Sequence, residues 1–116
     1  MWSVGCILAE LVTFKPIFAS DGSQIDQLFR IFSYTGTPTY QTWPKVKEYK
    51  DFKPNFPQFK ANPYFFRNET FLKSVGQHGI DLIERLLELD PLRRINAIEA
   101  MQHPFFQTYR EKKMKQ

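Results

Sequence analysis

His78 and His103 are the two histidines of this sequence, and Cys6 is its single thiol. A metal site built on them would need Cys, His or carboxylate partners at the spacings of metal coordination. Neither histidine has such partners, so both read as structural. A phosphate cradle needs glycines gathered in one loop; the five here, at 5, 22, 36, 76 and 79, are scattered, each beside a turn or a helix end. No Ser, His and Asp arrangement marks a nucleophile. One cysteine makes no internal disulfide, and Cys6 reads as a small core residue in a reducing compartment. Asn68-Glu69-Thr70 matches the glycosylation acceptor pattern, which without secretion is a chance match. Residue by residue, the sequence contains no catalytic constellation.

Its 116 residues make one domain's worth of chain, with ordinary hydrophobic (42%) and charged (24%) content but an aromatic share of 16% that calls for packing surfaces of large flat rings. The apolar run from Trp2 to Ala9 is broken by Glu10, far short of the roughly 20 residues that span a bilayer, and it has no signal-peptide pattern. These features place the protein inside the cell, in nucleus or cytoplasm, and away from membranes. Of the formal charge of +4, the segment "REKKMK" (Arg110, Lys112, Lys113 and Lys115 against Glu111) carries +3. The basicity therefore reads as a tail over residues 108–116 rather than a face, which disfavours a nucleic-acid partner.

The elements that must position any site are helical. In "MWSVGCILAELVTF", Val4, Ile7, Leu8 and Leu11 recur at helical spacing while Trp2, Cys6 and Ala9 add apolar surface elsewhere, predicting a helix buried nearly all round. It has no capping residue ahead of it, and Ser3 caps only by excluding Met1 and Trp2, which suggests a cut piece. Pro16, Ser20, Asp21 and Gly22 turn the chain. A second helix follows, capped by Ser23 with Asp26, striped by Ile25, Leu28, Phe29 and Phe32, and ended where Gly36 takes a left-handed C′ conformation before Pro38. From Thr37 to about Lys73 prolines and aromatics recur without sustained period, predicting a loop too apolar to be a free linker. Ile80, Ile83, Leu86 and Leu87, broadened by Leu82 and Leu89, stripe a third helix that Asp90-Pro91 breaks. Asn96 with Glu99 opens a fourth, stopped near His103-Pro104. The fold class read from this pattern is all-α: four main helices plus one long Pro- and aromatic-rich loop.

Four ordered segments, "WSVGCILAEL", "IDQLFRIFSYTGTP", "YKDFKPNFPQF" and "LDPLRRINAIEAMQHPFF", together resemble the last part of a eukaryotic protein kinase domain, specifically the cyclin-dependent kinases of the cell-cycle type. The resemblance covers residues 1–107 and implies an incomplete domain, the lower half of the helical lobe, with helices at about 1–13, 24–35, 77–88 and 97–102. It also implies that Met1 stands at a position internal to a longer motif. Phosphoryl transfer needs a Gly-rich loop, a strand Lys, the His-Arg-Asp catalytic loop and the Asp-Phe-Gly metal ligand, none of which occurs in these residues. The resemblance thus assigns ATP, Mg²⁺, cyclin and protein substrates to the intact kinase. It assigns no catalytic, cofactor or metal residue here, and no nucleotide binding by these residues alone.

Other roles carry over. Trp2, Ile7, Leu11 and Arg94 match structural positions: Ile7 and Leu11 support the apolar column beneath the adenine, and Arg94 matches the Arg that pairs with a Glu closing the activation segment. That Glu is not in the sequence, so Arg94 is expected to lack its partner. Ile25, Asp26 and Leu28, with Lys53, Pro54 and Asn55 of the "KPNF" loop, occupy the places that dock a small Cks-type regulatory subunit. An alternative function follows: a binding module that docks this subunit or competes with the full-length kinase. Without a covering segment, Trp2, Val4, Ile7 and Leu11 are expected to face water.

Overall fold

A computed structural model describes residues 1–107, 110 and 111; Lys112, Lys113 and Lys115 of the expected tail lie outside the described residues. Among the described residues the main elements are four α-helices, α1 (Trp2–Thr13), α2 (Gln24–Thr35), α3 (Glu69–Leu86) and α4 (Ala97–Met101), with 3-10 turns at Val46–Glu48 and Pro104–Phe106. No strand occurs among the described residues. No helix there is long and apolar enough to cross a membrane.

The caps follow the sequence closely. Ser23 accepts from the Asp26 amide at 3.3 Å, and Asn96 with Glu99 forms a reciprocal capping box, 2.8 and 3.1 Å. The C-terminus of α2 departs from expectation: Gly36 sits at φ 80, ψ 154, outside the left-handed helical region. The chain leaves α2 extended because Thr37 is needed elsewhere. Its amide donates to the Phe59 carbonyl (3.1 Å), and its hydroxyl donates to the Pro57 carbonyl (2.6 Å) while accepting from the Phe59 amide (2.8 Å). That φ and ψ combination is close to glycine-only, and a Cβ on Gly36 would lie 3.0 Å from the Ala61 nitrogen.

The third helix also begins earlier than the periodicity suggests, at Glu69 instead of 77. Asn68 is its cap, accepting from the Phe71 amide at 3.2 Å and donating to the Phe65 carbonyl at 3.2 Å. Gly76, at φ 71, ψ −178, kinks the helix and shifts the phase of its apolar stripe, which hides the first turns from a pattern reading.

Two faces of α3 are buried, which makes it the centre of the fold. Ile80, Ile83 and Leu87 join Ala9, Phe18, Phe66 and Phe71 in one cluster, while Leu82 and Leu86 join Ala100 in a second, flanked by Leu8, Ile95, Phe105 and Phe106. The aromatics interlock as the composition requires: Phe66 packs edge-on against Tyr34 (4.9 Å), Phe65 (4.9 Å) and Phe71 (5.2 Å).

Helix α1 corrects the expectation of burial nearly all round. Its buried residues are Gly5 and Ala9, with Trp2, Cys6, Leu8 and Val12 partly covered against the core, whereas Val4, Ile7 and Leu11 are 49%, 58% and 66% exposed, as expected of these three without a covering segment. The side that meets α3 is the small-residue side, because small residues let two backbones approach. Trp2 does not face water as expected: it stacks on Phe18 at 6.0 Å and lies under the Arg94 guanidinium at 5.5 Å. Cys6 is half-buried, and burial, reinforced by Glu10, pushes its thiol up and keeps it unreactive.

Candidate functional site

The six residues proposed for docking lie on two elements that the aromatic packing holds together. Phe29 of α2 meets Phe56 edge-on at 5.8 Å and Phe59 at 5.6 Å, and Phe52 meets Phe56 at 5.9 Å. The Lys53-Pro54-Asn55 turn, closed by the Phe56 amide on the Lys53 carbonyl (3.1 Å), is thereby fixed beside the first turns of α2. Lys53, Pro54, Asn55 and Ile25 are exposed and available to a partner. Asp26 is half-buried and already paired with Arg30 at 2.8 Å, which leaves it one free oxygen. Leu28 is half-buried and lines an apolar groove of about 320 Å³ with Ile31, Phe32, Trp43 and Phe52.

The structural residues fall elsewhere. Ile7 and Leu11 line a separate apolar groove of about 230 Å³ with Leu82, Leu86 and Phe105. Arg94, expected to lack its Glu, is in no ion pair among the described residues. Its Nε donates to the Glu88 carbonyl (2.8 Å) and its Nη2 to the Leu89 carbonyl (3.0 Å), so the turn after α3 takes up two of its donors. Buried Asp90 holds that turn, accepting from the Leu92 amide at 3.0 Å.

Two polar arrangements had no sequence signal, because their members are distant in the chain. Arg67 grips Glu84 with two hydrogen bonds, 2.9 and 3.1 Å. Buried His103 reaches Asp81 with Nε2 at 2.7 Å, while its Nδ1 accepts from the Phe105 amide at 3.0 Å. With Nδ1 occupied as an acceptor, Nε2 must carry the proton and donate to Asp81. Burial would push the Asp81 carboxyl up, but the hydrogen bonds from His103 and from Arg85 (2.8 Å) outweigh it and hold the group below its ordinary value. A depressed carboxyl stabilises the fold fully above its unfolded pKa of about 3.9 and loses that contribution as pH falls through its lower folded pKa. In acid titrations followed by circular dichroism, Asp81→Asn should remove that part of the acid limb below about pH 4. An unchanged limb would show that the pair contributes nothing.

Two larger clefts carry charged side chains on their walls. One of about 440 Å³ is lined by Glu84, Glu88, Arg67 and Arg93; another of about 620 Å³ by Glu69, Asp81 and Glu84. Arg67 is already held by Glu84, and Arg93 spends Nη1 on the Gln41 and Thr42 carbonyls (3.0 and 3.2 Å).

These elements form a helical scaffold organised about one central helix. The protein kinase domain model matches residues 1–106, and the chain belongs to the protein kinase family.

Proposed function

We propose that this chain is the lower part of the helical lobe of a cyclin-dependent Ser/Thr kinase of the cell-cycle type, acting in nucleus or cytoplasm. In the intact kinase, residues outside these 116 hold ATP and Mg²⁺, transfer the phosphoryl group to protein substrates and engage the cyclin. The chain contributes a scaffold, in which Ile7 and Leu11 support the adenine-side column, and a docking face for a Cks-type regulatory subunit. The observation that carries this reading is the pre-ordered "KPNF" turn beside Ile25, locked by Phe29 and Phe56, since an ordered patch costs little entropy on binding.

A second reading, a non-catalytic module that docks the subunit and competes with the full-length kinase, is favoured by the face lying wholly within the chain. Both readings predict that the purified chain binds no ATP·Mg²⁺ by calorimetry. Both also predict that Ile25→Glu or Pro54→Gly weakens capture of a Cks-type subunit by about tenfold or more, ~1.4 kcal/mol. Measurable nucleotide affinity overturns the non-catalytic assignment, and capture insensitive to both substitutions overturns the docking face. Competition with the full-length kinase for the subunit separates the module from the scaffold.

A further inference from the structure

The long loop between α2 and α3 concentrates charge that the whole-chain balance conceals. Between Lys45 and Lys60 stand five lysines (45, 47, 50, 53 and 60) against Glu48 and Asp51 alone. All five lysines are exposed, and among the described residues none lies within 4.0 Å of a carboxylate.

They are not on a floppy strand. Consecutive tight turns fix the backbone: Val46 to Trp43 (3.0 Å), Glu48 to Lys45 (3.0 Å), Tyr49 to Val46 (3.2 Å), Phe52 to Tyr49 (3.1 Å) and Phe56 to Lys53 (3.1 Å), each amide donating to the earlier carbonyl. Val46 is buried, and Phe52 and Phe56 are half-buried, so the apolar side chains anchor the ridge while the lysines point away. Lys47 is further pinned, its Nζ 4.7 Å above the Tyr40 ring.

We infer that this ridge, centred on Lys45, Lys47 and Lys50, is a recruitment surface for an acidic, Asp/Glu-rich segment of a protein partner. Over residues 45–60 the ridge keeps a net charge of +3 with Glu48 and Asp51 included, and a fixed net charge lowers the ordering cost of an extended polyanion and raises its rate of encounter. Other anions suit the ridge less well. Its exposed rings are partly engaged, Tyr40 beneath Lys47 (4.7 Å) and Tyr49 tilted against Trp43 (5.1 Å), so stacking bases would compete with contacts already made. It contains no arginine for bidentate phosphate contacts, and its apolar anchors face the core, where they cannot insert into a bilayer. The inference is independent of the kinase assignment.

The test is fluorescence anisotropy of the purified 116-residue chain with a labelled acidic peptide of about twelve residues, alternating Asp and Glu. Saturable binding is expected that weakens steeply as ionic strength rises from about 0.01 to about 0.15 M, where the Debye length contracts from roughly 30 to 8 Å. Lys47→Glu with Lys50→Glu should weaken it by about tenfold or more, with unchanged circular dichroism. Lys15→Glu with Lys73→Glu makes the same charge change elsewhere and should cost far less. Equal losses from the two pairs would reduce the effect to net charge and overturn the ridge. Tighter binding of a single-stranded oligonucleotide or phosphatidylserine vesicle would overturn the choice of partner. The Lys47/Lys50 pair should leave Cks-type capture intact and Ile25→Glu should leave peptide binding intact, so the two surfaces fail separately.

Discussion

Truncating Phe66 to alanine is expected to remove about 3–5 kcal/mol of folding stability, a large share of the roughly 5–15 kcal/mol that holds a domain together. Phe66 is fully buried, and its ring meets Tyr34, Phe65 and Phe71 edge-on within 5.2 Å. The three neighbours come from α2, the loop before α3 and α3 itself, so the cavity would open where separate elements converge and collapse least easily. Burial also pushes the Tyr34 phenol up, assisted by Glu84 and Glu88, so that ring cannot ionise to draw water into the gap. Urea denaturation checks the loss directly, with Leu72→Ala, at a half-exposed site on the same helix, as the comparison. A loss no greater than that of Leu72→Ala would mean that this aromatic cluster is not the keystone of the fold.

The sequence declared some of this architecture and concealed the rest for reasons that can be assigned to particular residues. Local chemistry was legible: Ser23 and Asn96 cap the helices that their spacing marks, and Ile80, Ile83, Leu86 and Leu87 are buried as their period demands. Local chemistry also misled where one residue admits two uses. Asn68 looked like a chance glycosylation site and is a helix cap, and Gly76 broke the period that would have shown α3 starting at Glu69. Polar contacts between distant positions left no trace, as with His103 and Asp81, 22 residues apart. Arg94 was assigned a missing carboxylate because the resemblance supplied one. Two backbone carbonyls hold it here, and a guanidinium with five donors is satisfied by either arrangement. Of the candidate docking residues, the composition of both elements was readable, but the Phe29–Phe56 contact that joins the elements was not.

The side on which α1 packs yields the second large expected effect. Hydrophobic periodicity ranks Val4, Ile7 and Leu11 above Gly5 and Ala9, because transfer free energy grows with apolar area. Helix approach obeys a different limit, the thickness of the side chains between the axes. At Gly5 an added Cβ would lie 2.8 Å from the Leu86 Cβ and 2.8 Å from the Leu87 Cδ2. The Leu86 Cβ is fixed to its backbone and cannot swing away, so α1 would have to lift off α3. Gly5→Ala gains about 1 kcal/mol of helix propensity and still meets that clash, whereas Gly5→Leu adds bulk that no rotamer accommodates. Gly5→Leu should therefore destabilise by at least about 1–3 kcal/mol and shift Trp2 fluorescence as its packing on Phe18 loosens. Ile7→Ala, on the exposed side, should change both little. If the order were reversed, with Ile7→Ala costly and Gly5→Leu neutral, α1 would pack on its large residues after all, and the exposed face of Val4, Ile7 and Leu11 would be the core.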